Sequence, residues 1–212
     1  MRQQPQQTVP SPRQTHSSRR ILIIDGHPDP RPERFIHALA QAYGNGARAA
    51  GHELRTVAVC DLSFPLLRYA EEFQSDAAVP EVIRACQESI LWADHLVILF
   101  PLWHGTLPAL LKGFIEQVLR PEFAFGAAPP RHLPAKLLTG RSARLIVTMG
   151  MPAPVFRWYF HAHGVKSFQR SILEFCGVRP VRTTVAGMVE AIGPEGRAAL
   201  LRQVHYLGQQ GR

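Results

Sequence analysis

The 212-residue chain is poor in several things, and each shortage excludes a class of protein. There are only 3 cysteines, Cys60, Cys86 and Cys176, far apart and without a CxxC pair. A disulfide framework and a zinc site are therefore not expected, and a reducing cytoplasm is the expected compartment. No apolar run approaches the ~20 residues needed to span a bilayer. The longest candidate near the N-terminus, Ile21–Ile24, is too short for a signal-peptide core, so a soluble protein with no membrane insertion is expected. There is no GxxxxGK[ST] and no GxSxG, which argues against P-loop and α/β-hydrolase chemistry. Lysine is scarce, 3 against 21 arginines, and no basic stripe with interleaved aromatics occurs. The formal net charge of +8 is therefore not read as a nucleic-acid footprint. Half of it sits in residues 1–20, on Arg2, Arg13, Arg19 and Arg20, and the rest is scattered.

What is present alternates. Residues 1–19 are rich in Gln, Pro, Ser and Arg and predict a disordered basic tail, because such a segment buries too little apolar surface to offset its ordering entropy. From Ile21 onward, short apolar runs alternate with helical periodicity. Strands are expected at Ile21–Asp25, Glu53–Val59, Leu96–Phe100, Leu145–Thr148 and Val181–Ala186. Helices are expected from Glu33 to Arg48, from Pro80, from near Leu107, over Phe156–Cys176 and over Pro194–Leu207. A long loop holding Phe64, Pro65, Tyr69 and Phe73 follows the second strand, and Arg120–Arg141 reads as irregular. Strand–helix alternation implies βαβ units, hence an α/β domain over residues 20–212 with helices on both faces of a five-stranded parallel sheet in the order 2-1-3-4-5. Ligands of such sheets bind beyond the carboxyl ends of strands 1, 3 and 4.

Three loops lie there. The first, Gly26–Phe35, leads into a helix N-terminus, where unpaired N–H groups suit a phosphate and His27, Arg31 and Arg34 add charge and donors. Its prolines also serve simply to shape a turn. The second, Pro101-Leu102-Trp103-His104-Gly105-Thr106-Leu107-Pro108, is apolar and proline-bracketed, as a flat heteroaromatic ring would require. Trp103 reads equally as packing beside a buried strand. The third, Thr148-Met149-Gly150, offers a hydroxyl and a close backbone approach. Beyond it, His161 and His163 stand two apart, so on a helix they diverge and make no metal pair. One of them as a proton donor competes with an ordinary helix-end histidine. Gly44-Asn45-Gly46-Ala47-Arg48-Ala49 matches GxGxxA by letter but falls at the end of a helix, so it is not read as a dinucleotide fingerprint.

The run Phe100–Glu116, FPLWHGTLPALLKGFIE, resembles the FPL…PA(I/L)LKG(W/F)…E signature of the NAD(P)H:quinone oxidoreductases with a flavodoxin-like fold. The strand–Gly–His opening at Ile21–His27, Glu122-Phe123-Ala124-Phe125 and Phe175-Cys176-Gly177 extend the resemblance over residues 20–190. It implies a flavodoxin-like domain with non-covalent FAD or FMN, NAD(P)H as co-substrate and a small quinone-type acceptor. It also implies ping-pong hydride transfer in a homodimer whose active site lies at the subunit interface. By the same resemblance, His27, Phe35 and Glu116 are cofactor contacts. Pro101, Leu102, Trp103 and His104 form the ring-binding loop, with Thr148 and Gly150 on the second loop. His163, with Tyr159 near it, is the catalytic pair. The chain departs from the pattern at the start of the first helix, where Arg34 and Ile36 stand in place of a small hydroxyl residue and an Asn. Phosphate recognition is therefore assigned to Arg34, and FAD against FMN and NADH against NADPH stay open. Some relatives are ancillary subunits of potassium-efflux systems, which makes a flavin-binding regulatory subunit of a membrane system the alternative function. A flavin-free domain that kept only the fold is a third.

Overall fold

A computed structural model describes residues 18–74, 79–127 and 132–212. Five strands form one sheet: β1 (Arg20–Asp25), β2 (Glu53–Ala58), β3 (His95–Pro101), β4 (Ser142–Thr148) and β5 (Val181–Ala186). All neighbours are parallel and the order is β2-β1-β3-β4-β5. The expected architecture and strand order are thus observed. Of the tail expected over 1–19, residues 1–17 lie outside the described part; Ser18 and Arg19 already pair with Gly51 and His52.

The helices are α1 (Phe35–Ala49), α2 (Ala70–Gln74), α3 (Glu81–Trp92), α4 (Ala109–Val118), α5 (Ala153–Trp158), α6 (His163–Ser167), α7 (Glu174–Cys176) and α8 (Gly193–Gln209). Strand residues alternate between two cores, as the twofold period of a strand requires. Leu22, Ile24, Leu96, Ile98, Leu145 and Val147 join Ile83, Leu111 and Phe114 on one face. Ile21, Ile23, Val97, Leu99 and Ile146 join Leu39, Tyr43 and Val204 on the other. β3, central and covered on both sides, is buried along its whole length, which is why it reads as an unbroken apolar run.

Two regions differ from expectation. The helix expected over 156–176 is broken: His161 and Ala162 adopt φ of 53° and 52°, and the chain restarts as α6, continues through a π-helical stretch Phe168–Leu173 and ends in α7. The restart brings the backbone of Gly164 against that of Gly105, where a Cβ would stand 2.0 Å from the Gly105 carbonyl oxygen. The loop after β2 carries the short helix α2. It is pinned by Gln117 Nε2 donating to the Pro65 carbonyl at 2.6 Å and Arg120 Nη1 to the Glu72 carbonyl at 2.7 Å.

Gly46 lies inside α1 and meets α8, where a Cβ would come within 2.0 Å of the His205 carbonyl oxygen; Gly208 makes the reciprocal approach to Tyr43. The GxG letters lie inside the last turns of α1 and follow no strand; Gly46 marks a close helix–helix contact.

Candidate active site

The carboxyl ends of β1, β3 and β4 open onto a crevice of about 490 Å³. One wall is the loop from β1 into α1. It is held by an acid–imidazole network. Asp25, the last residue of β1 and 6% exposed, accepts the His27 backbone N–H at 3.1 Å on Oδ1 and His37 Nδ1–H at 2.5 Å on Oδ2. His37 Nε2–H donates to the Asp29 carbonyl at 2.9 Å. Both ring nitrogens of His37 face acceptors, so the imidazole is doubly protonated. Burial opposes that charge, but Asp25 and the Asp29 carbonyl outweigh it and raise the His37 pKa.

Asp29 in turn collects the arginines. Its carboxylate takes Arg31 Nη2 and Arg34 Nε, each at 2.6 Å, and these bonds hold its pKa far below the usual carboxylate range. The Asp29 backbone N–H donates to His27 Nδ1 at 3.0 Å, so the neutral His27 ring carries its proton on Nε2. Burial, then the charge of His37, lowers the His27 pKa and favours that neutral form. The first turn of α1 has no acidic residue, and its leading N–H groups have no intrahelical partner. An anion here meets helix N–H groups, His27 Nε2–H and the Nη groups of Arg34, which have no hydrogen-bond partner among the described residues. Arg197 of α8 stacks 5.4 Å over the Phe35 ring and lines the same wall.

The second wall is the turn after β3. Trp103 and Thr106 exchange backbone hydrogen bonds at 3.0 Å, and His104 and Gly105 occupy the left-handed region between them, with φ of 47° and 79°. This tight hairpin lifts Trp103 to the surface, 47% exposed, with its ring 6.1 Å from that of His27. Ordinary packing beside the buried strand does not describe this placement of Trp103. The floor is β4 and its loop: the Thr148 carbonyl accepts Leu102 N–H at 2.7 Å, and a Cβ built on Gly150 meets nothing within 4 Å.

His27, Arg34, Phe35, Pro101, Leu102, Trp103, Thr148 and Gly150 therefore come together in the crevice. The other expected residues do not line it. His104 is at the exposed tip of the hairpin. Glu116 pairs with Lys112 on the exposed face of α4. Tyr159 and His163 flank the His161–Ala162 break, and His163 precedes the Gly164–Gly105 contact that joins α6 to the hairpin. Sequence reasoning missed Asp25, Asp29, His37 and Arg197. A carboxylate ending a buried apolar strand was the readable signal for Asp25; the others depend on how the loop and α8 close.

An anion-ready helix start faces an exposed indole across the switch point of the 2-1-3-4-5 sheet, the place where doubly wound α/β domains bind their ligands. The chain belongs to the flavodoxin-like fold family, whose model matches residues 19–207. It is 25% identical over 187 residues to an uncharacterized NAD(P)H oxidoreductase of Haemophilus influenzae, covering 85% of this chain and 89% of that protein. A ribosyldihydronicotinamide dehydrogenase-like protein, traD, of Penicillium crustosum is 34% identical over 160 residues, covering 62% and 57%. An FMN-dependent NADH:quinone oxidoreductase of Beijerinckia indica is 31% identical over 105 residues, covering 48% and 49%. The match thus spans about half the length of these last two relatives. Among solved structures, an NAD(P)H:quinone oxidoreductase from Methanothermobacter marburgensis superposes with a TM-score of 0.76 at 21% identity, covering 92% of this chain and 100% of that one, a likeness of fold.

Proposed function

We propose that the chain is a flavin-dependent NAD(P)H oxidoreductase that reduces quinones or similar small electrophilic acceptors. The observation that carries this reading is the pairing, in one crevice, of a phosphate-ready α1 start with an exposed Trp103 and an open Gly150. The names of the relatives support it. A flavin held there would supply the two-electron redox chemistry that couples NAD(P)H to the acceptor in a ping-pong reaction. The protein's share is placement and electrostatics. Helix N–H groups, His27 and Arg34 hold the phosphate end, while the Pro101–His104 hairpin and the Thr148–Gly150 loop shape a slot for a flat ring.

The working unit of this reading is a homodimer. Trp158 and Tyr159 are 79% and 76% exposed, and Val155 and Phe160 lie beside them, more apolar surface than a lone helix end needs to show. Pairing through this face would place Tyr159 and His163 at the subunit boundary, where His163 stabilises negative charge developing on the reduced ring. Among the described residues, no helix is long and apolar enough to cross a membrane.

The visible absorption spectrum tests the reading directly. Purified protein is expected to be yellow, or to become so with FMN or FAD, to bleach under anaerobic NAD(P)H and to recover with a quinone. A protein that stays colourless with both flavins overturns it. His163→Ala is expected to lower turnover about a hundredfold with flavin still bound; unchanged turnover removes His163 from the reaction. Gly150→Ala, whose methyl meets open space, is expected to shift apo-protein stability by less than about 0.5 kcal/mol. It should weaken flavin binding about tenfold, because the methyl occupies ring space, a loss of about 1.4 kcal/mol. A fluorescence titration showing equal affinity would move the ring elsewhere.

A further inference from the structure

A second cavity, of about 350 Å³, lies at the other end of the sheet. It is formed by the amino ends of β3, β4 and β5 and the residues that follow α8, about 20 Å along β3 from the crevice at 3.3 Å per residue. Its lining includes Arg19, Arg182 and Arg212 and no carboxylate side chain. Asp94, which precedes His95, is held by Arg20 at 2.7 Å. Neither Arg182 nor Arg212 has an ion-pair partner among the described residues.

The floor of this cavity is His95, 2% exposed. Its Nδ1 lies 2.7 Å from Ser142 Oγ, and its Nε2 is buried with no hydrogen-bond partner among the described residues. Leaving such a group unmade costs about 1–3 kcal/mol, so an orphan of this kind calls for an occupant. The ring is neutral: burial, then the charges of Arg19, Arg144 and Arg182, push its pKa down to about 3. The direction of the Ser142 bond sets which ring nitrogen carries the proton, and the ring itself forms part of the cavity lining. Arg144, 7% exposed, adds positive charge behind the wall and is itself tied to Thr184 Oγ1 at 2.8 Å. Capping of the α8 carbonyls explains Arg19, whose Nη1 donates to the Gly211 carbonyl at 2.9 Å. It does not explain the buried His95 nitrogen or the unpaired Arg182.

We propose that this cavity is a binding site for a phosphoryl group, held by Arg19, Arg182 and Arg212 over the buried His95 ring. The site is separate from the flavin crevice, and the proposal does not depend on the redox reading. The volume matches roughly twelve waters, at ~30 Å³ each, so it admits free phosphate or the phosphate of a small ester.

The test is titration of the full-length protein with inorganic phosphate and, separately, with glycerol 3-phosphate. Excess FMN is present to fill the crevice, and ionic strength is matched with chloride. Thermal unfolding and the imidazole NMR signals of His95 are followed. The expected result is a saturable rise in Tm with a shift of the His95 signals. Arg182→Gln, an exposed substitution that leaves the fold intact, and His95→Phe should each weaken binding at least tenfold, with FMN binding unchanged in Arg182→Gln. Tighter binding of the ester identifies a phosphate ester as the ligand, and equal or tighter binding of phosphate identifies the free ion. No movement of the His95 signals with either, or undiminished binding in Arg182→Gln, overturns the proposal.

Discussion

Gly164→Ala is expected to lower the free energy of unfolding by about 3 kcal/mol, the upper part of the range for overpacking. The built Cβ would sit 2.0 Å from the Gly105 carbonyl oxygen and 3.0 Å from Thr106 Cα. These are backbone atoms, and no rotamer change moves them away. Gly105 is held with φ of 79° inside a hairpin closed by two hydrogen bonds between Trp103 and Thr106, so it yields little. The strain must therefore be relieved by withdrawing α6 from the hairpin. Val165, buried beside Gly164, and Phe168, packed 5.9 Å from Phe100, would then lose contact with the core. The same retreat frees the Trp103 side of the crevice. Urea unfolding should show the stability loss, and flavin titration of the folded variant an affinity reduced at least tenfold, about 1.4 kcal/mol or more. Wild-type stability in Gly164→Ala would show that the hairpin and α6 are not packed as described.

The contact also shows what the sequence could and could not reveal. Every strand was legible because periodicity and burial are local properties: Leu96–Phe100 could only be a strand covered on both faces. The sheet order followed from connection rules. The helix over 156–176 was misread because nothing in Phe160-His161-Ala162-His163 signals two left-handed residues. Neither His161 nor Ala162 is glycine, and tertiary docking of Gly164 on Gly105 decides their backbone. The site divides in the same way. Loop residues that follow strand ends, His27, Trp103 and Gly150, were readable from position. His37 was not, since on α1 it reads as one more helix residue, and only the closing of the loop sets it against Asp25 and Asp29. Arg34 was assigned to phosphate. Its Nε is committed to Asp29, and only the rest of its guanidinium is left for a ligand.

Removing that carboxylate should show how far the phosphate wall depends on it. Asp25→Ala leaves the His37 imidazolium, whose side chain is 19% exposed, without its counter-ion, and breaking a buried pair from one side costs about 3–5 kcal/mol. Because His37 retains partial access to water and the Asp29 carbonyl as acceptor, the low end, about 3 kcal/mol, is expected. The His27 N–H loses its acceptor as well, so the loop from Gly26 to Arg34 loosens and flavin binding weakens with it. The pH dependence has a definite sign. The folded state raises the His37 pKa above the ordinary histidine value of about 6.5. The stability contributed by the pair is therefore complete below that value and is lost as pH rises through the elevated one. The advantage of the wild type over His37→Gln, followed by urea midpoints from acid to mildly alkaline pH, should be greatest on the acid side and shrink above neutrality. An advantage that grows with pH would mean that folding lowers the His37 pKa instead of raising it, and the cationic wall of the crevice would have to be redrawn around a neutral imidazole.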